Sequence, residues 1–280
     1  MSSPIVVCMK WVALRPDVDP ISGVVASDER WSGPSLADQA ALEIGLRLAD
    51  SWNAECIVVS VGSSAAETVL REAIAAGAGR VVRIAVDVDV ERQPTSASVA
   101  AMLAEVIGPL DPALVVCGDW SLDRGSASVP VFLAAALDAD AACGLVAVTD
   151  EGPSALQVER RLDGGRREVL AITGRAVVSV EGSVARLRRA TLAGVLAANK
   201  AAIETATPNA IEWEAVPTRV APFRPRARIL DAPSSPDPRR RVEVLTGALV
   251  DRAPPQRLTL DPNDAAAVII EKLRAWGQIQ

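Results

Sequence analysis

Residues 118–130 place small and hydroxyl side chains between two apolar stretches. They read GDWSLDRGSASVP and directly follow the apolar residues 113–117. Backbone N–H groups at the start of a helix are unpaired, and the helix dipole favours an anion there. Small residues would let the backbone approach a phosphate, and two hydroxyls could donate to it: Gly125, Ser126, Ala127 and Ser128. The loop is therefore a candidate cradle for a nucleotide phosphate, with an ordinary helix cap as the alternative.

Composition excludes several kinds of chemistry. The 280 residues include no His, no Tyr and only two Phe. No Ser-His-Asp or Cys-His arrangement and no histidine metal site can form, so we predict neither a catalytic residue nor a metal. A stacking platform for single-stranded nucleic acid would need more aromatic residues. The net charge of -6 also argues against binding to nucleic acid or anionic membranes.

The start of the chain and its cysteines indicate the compartment. No signal-peptide pattern precedes the first apolar run, and no apolar run is long enough to span a membrane. We therefore expect a cytoplasmic protein. The four cysteines are widely spaced, and we expect them to be small buried side chains: Cys8, Cys56, Cys117 and Cys143.

Strand and helix patterns alternate along the first 150 residues. Strands are predicted at 4–9, 56–61, 80–86, 113–117 and 144–148, and helices at 35–48, 65–76, 94–107 and 129–137. Ser35 is a predicted N-cap, with Asp38 three residues later. The alternation predicts a Rossmann-like three-layer α/β/α domain with a mostly parallel sheet. Ligands of such sheets bind beyond the carboxyl ends of the strands, where the strand order reverses.

The pattern changes after residue 151. Residues 156–162 and 167–172 are predicted to form a β-hairpin on the Asp-Gly-Gly turn at 163–165, followed by a strand at 176–180. Beyond about residue 205 the chain is rich in Pro, Arg and Ser, which predicts an extended arm that ends in a helix at 263–276. We therefore divide the chain into a domain at 1–204 and an arm at 205–280. The arm either grips a partner or packs on its own domain.

Several segments together resemble the β subunit of electron transfer flavoproteins. Residues 7–12, VCMKWV, resemble the opening strand and Val-Lys-x-Val turn of that family. Residues 160–165, RRLDGG, are similar to its Arg-Glu-Val-Asp-Gly-Gly motif. Residues 177–181 and 188–192, VVSVE and RRATL, resemble its Val-Val-Thr-Val-Asp and Arg-Tyr-Ala-Thr-Leu signature. The loop at 118–130 and the long arm resemble a divergent branch associated with mycofactocin-dependent dehydrogenases.

The resemblance implies a heterodimer that carries electrons. An α subunit would hold most of the redox FAD site, and this chain would lean against the flavin and clamp α with its arm. The fold implied is of the adenine nucleotide α-hydrolase type. Electrons would pass from dehydrogenases through FAD toward a membrane quinone-linked acceptor, and the flavin would supply the chemistry. The β chain would bind a structural AMP or, as in bifurcating members, a second FAD.

The resemblance also carries nucleotide contacts over to this sequence. Those on strands and helix starts are Cys8, Ser35, Val61 and Gly118. Those in the phosphate loop are Asp123, Arg124, Gly125, Ser126, Ala127, Ser128 and Val129. Arg15 lies where many members place an aromatic residue near the flavin, so a contact there would be polar or cationic. Because the loop has Ser-Ala-Ser where AMP-binding members have Asn-Gln-Thr, AMP and a second FAD both remain possible.

A basic segment is the candidate docking surface for redox partners. Residues 151–200 hold nine Arg or Lys against five Asp or Glu. By the resemblance, Val184 is an exposed apolar anchor inside a basic rim that includes Arg186 and Arg188. Such a surface suits weak, transient electron-transfer contacts. The alternative is a connector with solvated arginines.

Two other functions use a similar sheet. A stand-alone adenine-nucleotide-binding protein of universal-stress type would form a homodimer, bind no flavin and have no use for the arm. A nucleotide-hydrolysing enzyme is disfavoured because the chain has no His and no phosphate loop that carries Lys.

Overall fold

The computed structural model describes residues 3–26, 28–86, 92–208, 215–217, 232–247 and 257–279. The chain divides into two compact units, Met1–Phe223 and Arg224–Gln280. The predicted tail residues 254–256 lie outside the described residues.

A nine-stranded sheet forms the centre of the first unit. Its strands are β1 (Ile5–Cys8), β2 (Cys56–Gly62), β3 (Arg80–Ala85), β4 (Leu114–Gly118), β5 (Asp140–Gly152), β6 (Ala155–Arg161), β7 (Arg167–Thr173), β8 (Ala176–Val180) and β9 (Glu204–Ala206). Their order is β7-β6-β5-β8-β4-β1-β2-β3-β9. Only β6 and β7 run antiparallel to their neighbours, as a hairpin on the end of β5. The strand order reverses at β1, which lies between β4 and β2.

Helices cover both faces of this sheet, which confirms the predicted three-layer α/β fold. They are α1 (Leu36–Trp52), α2 (Glu67–Ala76), α3 (Ser96–Ile107), α4 (Val129–Ala136) and α5 (Leu192–Lys200). One core cluster contains the inner faces of α1 and α2, and the other contains those of α3 and α4. Ile5, Val6 and Val7 of β1 are fully buried because their side chains alternate between these two clusters. Ser35 caps α1 as predicted, in a reciprocal capping box with Asp38.

The hairpin is also confirmed. Arg161 pairs with Arg167 across the turn, and Gly164 and Gly165 adopt the positive φ values of 71° and 74° that this turn requires. The preceding strand is longer than predicted: β5 begins at Asp140, pairs first with β8 in parallel and then, beyond a bulge near Gly144, with β6. The bulge lets one strand serve both the parallel sheet and the hairpin.

Two predictions about the chain after residue 190 are wrong. The sequence pattern did not indicate α5, which packs against α2. The arginine run at 239–241 was placed in an extended segment, but it lies in helix α6 (Pro238–Thr246). Asp237 caps this helix and proline occupies its first turn, where the missing N–H costs nothing. The predicted terminal helix is present as α7 (Pro262–Ala275).

Short strand pairs complete the first unit. Val12–Ala13 pairs with Ser32–Gly33, Asp17–Val18 with Val25–Ala26, and Arg92–Pro94 with Ala215–Pro217. Among the helices of the described residues, none combines the length and apolar character that crossing a membrane requires.

Candidate functional site

A cavity of about 440 Å³ lies at the carboxyl ends of the parallel strands, where the strand order reverses. Its volume is in the range of small-molecule and cofactor sites. Cys8 ends β1, Val61 lies near the end of β2, and Gly118 ends β4; all three line the cavity together with the start of α4. The sheet therefore brings together segments that are far apart in the sequence.

Nine of the predicted nucleotide contacts line this cavity: Cys8, Val61, Gly118, Asp123, Arg124, Ser126, Ala127, Ser128 and Val129. Three others do not line it. Ser35 is buried and its hydroxyl caps α1. Gly125 packs against Trp120. The Arg15 guanidinium lies 4.8 Å from the ring centroid of Trp31, in the loop between β1 and α1.

Asp38 lines the cavity and was not predicted as a site residue. Its backbone N–H donates to the Ser35 hydroxyl at 3.0 Å, and its Oδ2 accepts from that hydroxyl at 3.0 Å. Burial raises the pKa of Asp38 to about 6, although hydrogen bonds from Ser35 and from the Lys10 backbone favour the charged form. The sequence signal was the acid at the third position of α1, which indicated a cap and not a cavity wall.

Asp38 gives a testable pH dependence of stability. Between about pH 4 and pH 6 the unfolded chain loses this proton while the folded chain keeps it, so the contribution of Asp38 to stability falls as the pH rises. The expected loss is at most about 3 kcal/mol. Asp38→Asn keeps an oxygen for the cap but cannot titrate, so its free energy of unfolding should lack this decline. Urea denaturation of both proteins from pH 4 to 7 measures the difference, and parallel curves would contradict the assignment.

Ion pairs and hydrogen bonds join the loops around the cavity. Lys10 Nζ lies 2.5 Å from Asp123 Oδ2. Burial opposes ionisation of Asp123, but Lys10, Ser121 and the Arg124 backbone hold the pKa of this carboxyl below its usual value. The Arg124 guanidinium donates to the Pro94 carbonyl at 2.5 Å. The two cations that line the cavity therefore also fix the shape of its rim.

The backbone of the phosphate loop adopts an unusual conformation. Gly125 and Ala127 have φ values of 57° and 51°. A non-glycine residue in this region costs about 1–3 kcal/mol and is typical of binding sites that the surrounding structure holds in place. The hydroxyls of Ser126 and Ser128 are 3.0 Å apart, and that of Ser126 lies 3.4 Å from Ser96. The loop therefore offers hydroxyl donors beside the start of α4.

The cysteines are free thiols, and only two of them are fully buried as predicted. Cys56 and Cys117 are buried, whereas Cys8 and Cys143 are half-buried. Cys8 and Cys117 are register partners on β1 and β4, and both line the cavity. A hydrogen bond with the Cys8 thiol and burial raise the pKa of Cys117 well above its usual value. In the part of the chain that the structure describes, no cluster of His, Cys, Asp or Glu suits a metal ion.

The predicted exposure of the docking anchor is wrong. Val184 is half-buried and packs against the core cluster beside α1. Arg188 is not a solvated rim residue either, because its Nε donates to Glu43 Oε2 at 3.0 Å and its Nη1 to Asp50 at 3.1 Å. Arg186 is exposed as predicted. The docking role of this segment remains a prediction.

Helix α5 carries the exposed apolar side chains that sequence reasoning missed. Leu192 is 76% exposed, and Val195 and Leu196 are also exposed. Thr191 caps this helix through Gly194 N–H, and this threonine was the signal that could have indicated it. Arg189, just before the helix, is exposed as well.

The fold and the cavity define a class of protein: an α/β domain with a binding cavity at the switch point of a largely parallel sheet. Residues 23–211 match the family model described as electron transfer flavoprotein domain. This match covers more than half of the chain, which therefore belongs to the electron transfer flavoprotein family, as the sequence resemblance predicted.

Curated relatives carry the name of one subunit. The chain is 31% identical over 171 residues to the electron transfer flavoprotein subunit beta of Bradyrhizobium diazoefficiens, which covers 61% of this chain and 66% of that protein. It is 29% identical over 202 residues to the mitochondrial subunit beta of Oryza sativa subsp. japonica, covering 72% and 78%. Protein FixA of Rhizobium meliloti is 28% identical over 227 residues, covering 78% and 74%. The first alignment thus spans slightly less than two thirds of the relative.

Proposed function

We propose that the chain is the β subunit of a heterodimeric electron transfer flavoprotein and binds a nucleotide, AMP or a second FAD, in the cavity at the switch point. The observation that carries this proposal is the convergence of nine family-implied nucleotide contacts on one cavity in a chain of this family. The complex would work in the cytoplasm. It would take electrons from dehydrogenases through an FAD shared with α and pass them toward a membrane quinone-linked acceptor.

The residues of the cavity fit a nucleotide phosphate. The positive φ values at Gly125 and Ala127 bend the loop, and small side chains leave its backbone accessible. Ser126 and Ser128 supply hydroxyl donors, and the start of α4 supplies unpaired N–H groups. Lys10 and Arg124 add positive charge to the lining. These groups would bind and orient the nucleotide, whose own chemistry would remain that of a cofactor.

Exposed apolar side chains support a partner subunit. Val131 and Phe132 on α4 and Val169 on the edge strand β7 are all exposed. Large apolar side chains on the outside of a domain mark interaction sites when they are contiguous, and an edge strand also leaves backbone groups unpaired. We propose that the α subunit covers this side of the sheet and that the residues after 223 add a second contact with it.

The identity of the released nucleotides tests the proposal. The chain would be purified with its α subunit, denatured, and the released nucleotides quantified. One FAD with one AMP per heterodimer would support a simple electron carrier with AMP in the cavity. Two FAD would place a second flavin there. A complex that releases FAD alone, in a one-to-one ratio, would contradict nucleotide binding in the cavity.

Ser126→Asp is expected to expel the bound nucleotide. A carboxylate at this position would repel the phosphate, and Ser126 is exposed, so the fold should tolerate the change. Ser126→Ala removes one donor and should lower the affinity by only about 1 kcal/mol. Nucleotide content after purification measures both variants. Equal content in Ser126→Asp and the unmodified protein would favour the helix-cap alternative.

The docking surface is proposed to centre on Leu192 in place of Val184. Leu192 is exposed beside Arg189, whereas Val184 is packed into the core. Leu192→Asp should slow electron transfer from a dehydrogenase at least several-fold, because a central apolar contact would become a charge. The flavin absorption spectrum should stay unchanged. A normal rate of interprotein electron transfer would count against this surface.

A further inference from the structure

Trp120 is a half-exposed indole at the nucleotide cavity. The chain has six Trp and two Phe in 280 residues, and two of these tryptophans, Trp11 and Trp120, line the cavity. Trp120 remains 51% exposed. A large aromatic side chain gains free energy when it is buried, so a half-exposed indole in the wall of a cavity leaves apolar surface for a ligand to cover.

The phosphate loop is shaped around this indole. Gly125 has a φ of 57°, and a Cβ built on it would lie 2.7 Å from Trp120 Nε1. The pyrrole edge of the indole thus rests on a backbone position that has no room for a side chain. The backbone on either side is also fixed, because Asp119 N–H donates to the Val180 carbonyl at 3.0 Å and the Ser35 hydroxyl donates to the Trp120 carbonyl at 3.4 Å.

We propose that Trp120 stacks on the planar ring of the nucleotide in the cavity and so selects ligands that carry a heteroaromatic ring. This inference rests on the proposed function, because it assumes that the cavity holds a nucleotide. The neighbouring loop groups bind the phosphate, which every sugar phosphate has. The indole adds affinity only when a flat ring, adenine or isoalloxazine, can cover its exposed face.

Binding measurements with three probes test this role. The full chain, freed of nucleotide, would be titrated with AMP, FAD and ribose 5-phosphate by calorimetry. The variants are Trp120→Ala and Trp120→Phe, with Trp31→Phe as the matched control. Trp31 is 52% exposed, much like Trp120, but it does not line the cavity. Circular dichroism and thermal unfolding would verify that each variant is folded.

Trp120→Ala should weaken binding of the preferred ring-bearing probe by about tenfold or more, since aromatic stacking of a base is typically worth this much. Trp120→Phe should retain most of the affinity, and Trp31→Phe all of it. Ribose 5-phosphate should bind the unmodified chain and Trp120→Ala within about twofold of each other. The probe that Trp120→Ala weakens most, AMP or FAD, identifies which ring stacks there.

Two outcomes would overturn the inference while nucleotide binding itself stands. In one, Trp120→Ala binds AMP and FAD as tightly as the unmodified chain. In the other, it loses ribose 5-phosphate to the same degree, and the indole then merely supports the loop. If the unmodified chain binds none of the three probes, the nucleotide site of the proposed function fails first, and the stacking role fails with it.

Discussion

Gly118→Ala is expected to destabilise the protein by roughly 2–3 kcal/mol and to lower its nucleotide content. Gly118 ends β4 at the point where the start of α1 approaches the sheet. A Cβ there would lie 2.8 Å from Asp38 Oδ1, 2.9 Å from Asp38 N and 3.0 Å from the Ala37 carbonyl carbon. Two of these atoms belong to the backbone, and the capping box with Ser35 fixes the third. The added methyl group can therefore be accommodated only if α1 moves away from β4.

Gly108→Ala is the matched control for this change. Its φ of -54° suits any residue, and the nearest atom to an added Cβ is Leu137 Cδ2 at an ordinary 3.8 Å. Its free energy of unfolding should stay within about 0.5 kcal/mol of the unmodified value. Urea denaturation and nucleotide content would be compared for both variants. Equal stability of the two would mean that α1 shifts at little cost.

The sequence predicted those elements whose signals are local. The fully apolar runs of the central strands, the capping pair Ser35 and Asp38, and the Asp-Gly-Gly turn each depend on a few neighbouring residues. Such signals determine where an element starts and which period it follows. Their alternation was sufficient for the three-layer fold and for the position of the cavity at the switch point.

The features that the sequence did not predict depend on distant contacts. Arg188 looked like a solvated arginine, but its partner Glu43 lies 145 positions away. Hydrogen bonds from Arg188 and Arg47 hold the pKa of Glu43 below its usual value, although burial opposes this. Trp120 likewise became a candidate contact only because Gly125 lies beneath its indole. No local pattern in the sequence encodes such pairs.

The structure also changes where the arm should be cut. The predicted boundary after residue 204 falls inside β9, where Glu204–Ala206 pairs with β3 and Glu204 forms an ion pair with Arg80 at 2.8 Å. Residues 215–217 pair with Arg92–Pro94. A chain ending at 204 would lose sheet contacts as well as the arm. The boundary between the compact units, after Phe223, keeps both strand pairs.

Removal of residues 224–280 is expected to abolish the heterodimer while the first unit stays folded. The described part of this segment has no buried residue, and α6 and α7 contain 9 and 14 residues. Isolated helices of this length are marginal in water without tertiary packing. Ile269, Ile270 and Trp276 are exposed on the last helix and its end. We infer that the α subunit covers these side chains and that their burial stabilises both helices and complex.

Co-purification of a tagged α subunit with residues 1–223 measures this expectation. Thermal unfolding of the truncated chain should remain a single cooperative transition, because the nine-stranded sheet and its helices are retained. Ile269→Asp in the full chain is the finer test: it leaves every element in place but should weaken the complex by about 2 kcal/mol or more, since a charge would replace a buried apolar contact. If the truncated chain co-purifies with α as the full chain does, the α subunit holds this chain through the sheet side alone. Residues 224–280 would then need another partner to stabilise their helices.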